Sequence, residues 1–259
     1  MFEKTIVPTD QRRNLLPLFQ GVPVPSLLRP VLYGGMGLAC ADRAEGPKVC
    51  SLSIADVVML AGDAECPAAA YFVRTLAIPT YVLPSTKDWS RLVRAEHTGS
   101  VRAETRREYG YTTLDRGRLR RLAASIKPPF FLQPFNLASI EMAARERWSV
   151  DLVGNFESPD AYLRKGAGFC VVERSDNTWR LVSGASSFSV LDNIVEFQVD
   201  TDPSYRRRGF AAAASAQLAL HCLEAGLIPH WDAANTASCG LAEKLGFTPK
   251  EDYRILKLT

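Results

Sequence analysis

The sequence predicts an α/β protein whose C-terminal half holds a mixed, mostly antiparallel sheet flanked by helices. Strand-forming segments follow one another with short links at residues 169–173, 179–187 and 193–201. An alanine-rich helix that ends at Gly226 comes next, followed by a short apolar strand at 227–231 and a helix that stops at Gly246. Consecutive strands with short links predict an antiparallel meander, and the helix–strand–helix unit completes the sheet.

The N-terminal half differs from the C-terminal half in its proline content, because prolines divide its first hundred residues into short elements. The segment from Ser51 to Leu60 begins with alternating residues and ends with an apolar run, and both are strand signals. At residues 127–134, consecutive prolines exclude a helix and predict an extended connector or an edge strand. We therefore expect an N-terminal α/β domain at residues 1–127 and a second domain at 128–259.

Composition narrows the class of protein. The chain has 259 residues, of which 47% are hydrophobic, and its formal net charge is +3. Such a charge gives no reason to expect nucleic acid or an anionic membrane as a partner. No apolar run approaches the roughly 20 residues that cross a bilayer, and the scattered cysteines form no C-x-x-C pair that would indicate zinc. We expect a cytoplasmic protein with reduced, mostly buried thiols and no metal.

Arginines gather between Val101 and Arg121, where a nucleic-acid or phosphate site is one interpretation. The alternative is the solvated face of amphipathic helices, since Leu119, Leu122 and Ile126 recur at helical spacing. Acidic residues are also interleaved with the arginines, namely Glu104, Glu108 and Asp115. The pattern favours the solvated face.

The junction between the third strand and the alanine-rich helix carries the clearest chemistry. A loop that leaves a strand and enters a helix presents unpaired N–H groups at the positive end of the helix dipole, which suits a pyrophosphate. Gly209 would let the backbone approach the phosphates, and Ala211 would keep the first turn slim. Three consecutive arginines, 206–208, add charge-assisted hydrogen bonds. Taken alone, R-x-x-G-x-A also occurs at ordinary helix starts.

Its context is more specific. Residues 195–211, which read VEFQVDTDPSYRRRGFA, closely resemble motif A of the GNAT superfamily of acetyltransferases. Residues 231–247, which read WDAANTASCGLAEKLGF, are similar to motif B. Four further segments resemble the subgroup that includes the zwittermicin A resistance acetyltransferase, and they lie at 148–156, 166–169, 183–187 and 229–235. The resemblance covers residues 148–247 well and the N-terminal half only vaguely.

The resemblance implies a GNAT fold with acetyl-CoA as cosubstrate. In this superfamily the coenzyme lies in a splay between two neighbouring strands, with its pyrophosphate on the loop that follows. The implied coenzyme-binding residues are Val199, Asp200, Thr201, Arg206, Arg207, Arg208, Gly209, Phe210, Ala211 and Asn235. Asn235 is also a helix cap by position, and the two roles stay open.

The reaction needs a base, because an amine with a pKa near ~10 is less than about one per cent neutral at pH 7. Strand alternation places Glu196, Gln198 and Asp200 on one face, and Glu196 lies near the motif A carboxylate that several superfamily members use as a base. Asp232 is the second candidate base. For either carboxylate, the competing interpretation is a substrate-binding or solvated group.

The remaining catalytic groups are less clear. A backbone N–H near Val199 or Asp200 would meet the oxyanion. The motif B tyrosine that many relatives use as an acid is replaced by Ala242, which leaves Tyr253, Ser238 and Cys239 as substitutes. His230, within a strand, is expected to be a hydrogen-bonded interior histidine, and His221 a solvated one.

These residues predict an N-acetyltransferase that acts on the primary amine of a small molecule, such as an aminated antibiotic or metabolite. Acetylation of an antibiotic would confer resistance to it. One alternative is a coenzyme-A-binding module that no longer catalyses, and another is a nucleic-acid-binding protein. We expect no nucleic-acid or membrane partner. A homodimer is left open, as is an N-terminal half that is a degenerate copy of the same fold.

Overall fold

A computed structural model describes residues 3–19, 21–176 and 178–259. The strands are β1 (Thr5–Ile6), β2 (Leu38–Ala41), β3 (Val49–Ile54), β4 (Val57–Gly62), β5 (Thr80–Pro84), β6 (Val101–Gly110), β7 (Phe130–Pro134), β8 (Gly168–Ser175), β9 (Thr178–Leu191), β10 (Ile194–Thr201), β11 (Ile228–Ala233) and β12 (Thr248–Leu258). The α-helices are α1 (Arg29–Tyr33), α2 (Pro67–Arg74), α3 (Lys87–Glu96), α4 (Arg116–Ala123), α5 (Leu137–Arg145), α6 (Pro159–Lys165), α7 (Phe210–Glu224) and α8 (Thr236–Leu245).

The chain divides into two compact units. The first comprises Met1–Arg106 with Tyr253–Thr259, and the second comprises Arg107–Asp252. This division differs from the boundary expected near residue 127. Helix α4 lies before that boundary in sequence, yet it packs against α7 within the second unit, where Leu119 is fully buried. Packing of an apolar helix face therefore outweighs the prolines as a guide to where the units separate.

In the first unit the strands follow the order β1-β2-β3-β4-β5-β12. Neighbours are antiparallel except β4 and β5, which are parallel. The segment from Ser51 to Leu60 forms the hairpin of β3 and β4, which turns at Ala55 with φ of 49°. Helices α2 and α3 bury Phe72 and Trp89 beside this sheet, and the Trp89 indole donates to the Gly62 carbonyl at 2.9 Å.

In the second unit the strand order is β6-β11-β10-β9-β8-β7. The predicted meander is β8, β9 and β10, and the proline-rich segment forms the edge strand β7. Helix α7 lies on one face over Val195 and Phe197, while α5 and α6 cover the other over Leu152 and Leu181. Only β10 and β11 run parallel among the neighbours in this unit's described ladder, because α7 carries the chain across from one to the other.

The two halves of the chain repeat one order of elements. The strands β2, β3 and β4 form a meander that continues through α2, parallel β5 and α3, just as β8, β9 and β10 continue through α7, parallel β11 and α8. The last strand of each half is exchanged: β6 pairs with β11, and β12 pairs with β5. The N-terminal half therefore has the topology of a copy of the C-terminal half.

The arginine-rich segment is a correction to the sequence prediction. Residues 101–110 form strand β6, and only Arg116–Ala123 is helical, so the expectation of helices throughout is wrong for the first part. Asp115 begins α4 by accepting the Arg118 N–H at 2.6 Å, which separates the strand from the helix. Tyr109 of β6 is buried in the core, because alternate strand residues face it.

The cysteines are unbonded, and Cys40, Cys50, Cys66, Cys170 and Cys222 are buried. Among the residues that the structure describes, no helix has the length and apolarity needed to cross a membrane.

Candidate active site

The sheet of the second unit opens between β10 and β11. These strands pair in parallel only from Ile194 to Glu196 and from Ile228 to His230. Beyond this point β10 stays on β9 as far as Thr201, while β11 follows β6 to Ala233. At the same place the β9–β10 register shifts by a β-bulge, because Glu196 pairs with Ser189 and Phe197 with Ser187, which leaves Phe188 of β9 as the extra residue. We call this gap, bounded by residues 197–201 and 231–233, the β10–β11 opening.

A buried histidine lies where the opening begins. His230 contacts Glu196 Oε2 through Nδ1 and Glu108 Oε1 through Nε2, the latter at 2.6 Å. Glu196 Oε1 also accepts the N–H of Asp232 at 3.2 Å. A side-chain carboxylate thus bonds a β11 N–H two residues beyond the last β10–β11 pair. The cluster of Glu196, His230 and Glu108 joins β10, β11 and β6 at the point where two of them part.

This cluster is an ion triad. Burial alone would lower the pKa of His230, but the carboxylates of Glu196 and Glu108 raise it to about 10. The hydrogen bond from His230 lowers the pKa of Glu108 to about 2. Lys250 Nζ lies 3.3 Å from Glu108 Oε2 and adds a second cation. The imidazole is therefore doubly protonated at neutral pH and donates from both nitrogens, which confirms the interior histidine that the sequence predicts.

The structure places the two predicted bases differently. Glu196 is buried, with 5% of its surface exposed, and each carboxylate oxygen already has a partner. Asp232 is a half-buried residue of β11, directly after Trp231. Glu196 is the last β10 residue that pairs with β11, and Asp232 lies in the part of β11 that has separated from β10.

Further along β10, the side chains alternate between the faces of the sheet. Val195, Phe197 and Val199 pack into the core beneath α7, whereas Gln198 Nε2 donates to Asp200 Oδ2 at 2.6 Å. Burial raises the pKa of Asp200 to about 6; Gln198 opposes the rise, Asp151 adds to it, and Arg206 opposes it. The sequence predicts only backbone roles for Asp200, towards the coenzyme and the oxyanion. Its place on the same face as Glu196 was the available signal that its carboxylate also reaches this site.

The loop after β10 is shaped by Asp202. Its Oδ1 accepts the Ser204 N–H at 2.8 Å, which begins a 3₁₀ turn at Pro203–Tyr205, and its Oδ2 accepts from Arg180 at 2.7 Å. Arg207 then takes φ of 64°. This turn delivers the chain to the start of α7.

Helix α7 begins without a side-chain cap. Gly209, with φ of 88°, occupies the cap position, and the N–H groups of the first turn, which includes Phe210 and Ala211, have no acceptor within the helix. A Cβ placed on Gly209 would meet no heavy atom within 4 Å. The helix therefore presents backbone donors and a positive dipole end across open space.

The three arginines of the loop have different surroundings. The Arg208 guanidinium lies 4.6 Å from the ring centre of Phe130, 5.1 Å from that of Phe210 and 5.3 Å from that of Tyr205. All three arginines are exposed, and Arg206 Nε donates to the Thr201 carbonyl at 3.4 Å. Cation–π packing thus ties Arg208 to the fold, and Arg206 and Arg207 are the more available cations.

The motif B residues have structural partners. Asn235 caps α8 by accepting the Ser238 N–H at 3.0 Å, and Ser238 Oγ accepts from the Trp231 indole at 3.1 Å. Ala242 is fully buried. Cys239 is half-buried beside the core, and Tyr253 belongs to the first unit. Within the described ranges, no group of three or more His, Cys, Asp and Glu side chains is arranged to hold a metal ion.

A family model for GNAT acetyltransferases matches residues 16–256. The chain belongs to this family. It is therefore a transferase, and members of the family use acetyl-CoA as the acetyl donor. The match includes most of the N-terminal half, which agrees with the repeated order of elements.

Individual relatives agree with this assignment. A GCN5-related N-acetyltransferase-like protein from Streptococcus suis is 30% identical, with a TM-score of 0.84, over 96% of this chain and 99% of that one. The N-acetyltransferase YdfB of Bacillus subtilis is 27% identical over 155 residues, which are 54% of this chain and 57% of YdfB. The chain thus spans little more than half of that relative. A tandem GNAT protein from the clavulanic acid biosynthesis pathway shares the fold, at 10% identity and a TM-score of 0.57 over 100% of this chain and 98% of its own.

Proposed function

We propose that this chain transfers the acetyl group of acetyl-CoA to the primary amine of a small molecule. The observation that carries the proposal is the β10–β11 opening, which leads directly into the uncapped start of α7. An opening between strands accepts a narrow pantetheine arm through unpaired backbone groups. A helix start that presents free N–H groups accepts a pyrophosphate. Both features lie on consecutive residues of one segment.

The coenzyme would bind along this segment. Val199, Asp200 and Thr201 supply the edge of β10 that faces the pantetheine, and the first turn of α7 supplies donors to the pyrophosphate. Arg206 and Arg207 add charge to the phosphates, while Arg208 holds the loop through its aromatic neighbours. The proposed binding residues are Val199, Asp200, Thr201, Arg206, Arg207, Arg208, Gly209, Phe210, Ala211 and Asn235.

The chemistry needs an oxyanion donor and a base. Along a strand paired on one side only, every second N–H faces away from its partner. An N–H near Val199 or Asp200 can therefore face the opening and stabilise the tetrahedral intermediate. The sequence predicts Glu196 and Asp232 as candidate bases, and Glu196→Gln tests the first of them.

The proposal of a small-molecule amine as the acetyl acceptor rests on the resemblance of two sequence segments to a subgroup of the family. The segments at 148–156 and 229–235 resemble the zwittermicin A resistance subgroup, and both belong to the second unit, which contains the opening. Leu152 of the first segment lies against Gly184 of β9, and the second segment includes the end of β11. These positions support an aminated small molecule as the acceptor.

The test is thiol release from acetyl-CoA with a panel of small amines. Primary amines, including aminated antibiotics and diamines, are paired with their N,N-dimethyl counterparts, which keep the charge but cannot form a stable amide. We expect release with one or more primary amines and none with the matched tertiary amines. Bound acetyl-CoA without release on any amine would instead support a coenzyme-binding module that does not catalyse.

A further inference from the structure

Two carboxylates on β10 lie on the same face of the opening, and their surroundings differ. Glu196 is the last residue of β10 that pairs with β11, whereas Asp200 lies four residues further on, where the two strands have separated. The choice between them decides which group takes the proton from the attacking amine. The family assignment leaves that choice open.

Glu196 is already committed to a cation. Its Oε2 contacts the protonated His230, and its Oε1 accepts the Asp232 N–H. Protonation of Glu196 would remove the negative charge that faces His230 and leave Glu108 as the one carboxylate beside the imidazolium. Losing one arm of a buried ion cluster is costly, because the remaining charge loses its partner in a medium of low polarity. The geometry therefore gives the Glu196 carboxylate a structural task within the cluster.

In the part of the chain that the structure describes, the Asp200 carboxylate, unlike that of Glu196, is not hydrogen-bonded to a cation. Among the described residues, its carboxylate takes one side-chain hydrogen bond, and that comes from the neutral amide of Gln198. The bond engages Oδ2, and Oδ1 has no such donor. The residue is half-buried beyond the last β10–β11 pair, beside the backbone proposed to face the thioester. A partly desolvated carboxylate that is hydrogen-bonded by a neutral amide retains its basicity, and the nearby Arg206 is the smallest of the influences on its pKa.

We propose that Asp200 is the general base of acetyl transfer and that Glu196 is a positioning residue that ties β10 to β11 at the start of the opening through His230 and Asp232. This inference rests on the proposed function. The substrate ammonium passes one proton to Asp200, and the neutral amine nitrogen then bonds to the thioester carbon. Collapse of the intermediate breaks the C–S bond with its electron pair left on sulfur, and the second proton of the nitrogen passes to the thiolate. Asp200 returns its proton to solvent.

The charges around Asp200 predict its pH dependence. Gln198 faces it from the same strand, Asp151 from the 3₁₀ turn at Val150–Leu152, and Arg206 from the loop. Burial is the largest influence and sets the pKa at about 6. Above this pH the Asp200 carboxylate is charged and can accept a proton. The rate of acetyl transfer should therefore fall as the pH drops through about 6.

The experiment compares Asp200→Asn with Glu196→Gln, each of which keeps the shape of the side chain but removes the charge. We measure kcat and KM across pH with a primary amine, together with acetyl-CoA affinity by calorimetry. Asp200→Asn should lower kcat by roughly 10²- to 10⁴-fold and remove the acidic limb near pH 6, with affinity for acetyl-CoA unchanged. Glu196→Gln should keep that limb. An acceptor amine of low pKa, already neutral, should restore most of the rate of Asp200→Asn.

Two outcomes would overturn the assignment. One is an acidic limb and a near-normal kcat in Asp200→Asn, and the other is loss of the limb in Glu196→Gln instead. If Asp200→Asn does not fold, Asp200→Glu takes its place and should move the midpoint of the limb, and an unmoved midpoint would count against Asp200. Failure of the proposed function looks different, because wild type would then bind acetyl-CoA without releasing thiol at any pH.

Discussion

At the scale of single residues, the raised pKa of His230 gives the strongest electrostatic prediction. Its pKa is raised from 6.5 to about 10 in the fold, so the folded state binds the proton more tightly than the unfolded chain. The resulting stability is fully present below pH 6.5 and is lost as the pH rises through about 10. We expect the difference in unfolding free energy between wild type and His230→Gln to shrink by up to about 1.4 kcal/mol per pH unit across that window. Urea unfolding at several pH values measures it, and a constant difference would refute the triad.

The partners of His230 show what sequence reasoning can reach at this scale. Glu196 was found, because strand alternation and likeness to motif A point to the same position. Glu108 was missed as a site residue, because it lies 122 positions from His230 and was expected on a solvated helix. Its β6 neighbours are mostly polar, so no apolar alternation marked the strand. The ion triad that contains Glu196 can be recognised only once β6, which carries Glu108, is placed beside β11.

At the scale of elements, the two ends of α7 offer a matched pair of glycines. Gly209 has φ of 88° and Gly226 has φ of 71°, and a Cβ on either meets no heavy atom within 4 Å. Valine at either position therefore carries a similar backbone strain of about 1–2 kcal/mol. Only Gly209→Val places a side chain where the pyrophosphate is proposed to bind. We expect about tenfold or greater loss of acetyl-CoA affinity in Gly209→Val and none in Gly226→Val, measured by calorimetry.

Equal affinities in the two valine variants would remove the phosphate-loop assignment. A loss of affinity in both would instead indicate that α7 itself has been disturbed, which circular dichroism and thermal unfolding of the two variants would reveal.

The elements around this helix were mostly predictable, because their signals are local. Asn235 caps its helix as predicted, and Gly226 and Gly246 follow the ends of α7 and α8. The β10–β11 opening could not be derived from local signals. Alternation tells which face a residue takes, but where two distant strands stop pairing depends on Glu196 capturing the Asp232 N–H.

At the scale of the whole molecule, each unit holds one parallel strand pair followed by a helix, but only one pair opens. In the first unit β4 and β5 stay paired from Val57 to Leu60, and β4 ends at Gly62. The loop that follows carries Asp63 and Glu65 in place of arginines, and Asp63 bonds the Glu65 N–H within the loop. An acidic loop repels phosphates. The N-terminal copy has therefore kept the fold's topology but not its anion site.

The most direct measurement is a crystal structure of the protein with acetyl-CoA. The account predicts one coenzyme per chain, with its pantetheine in the β10–β11 opening beyond Glu196 and His230 and its pyrophosphate on the N–H groups of residues 207–211. The thioester should lie beside Asp200. A coenzyme bound against β4 and β5, or bound away from the start of α7, would contradict the account.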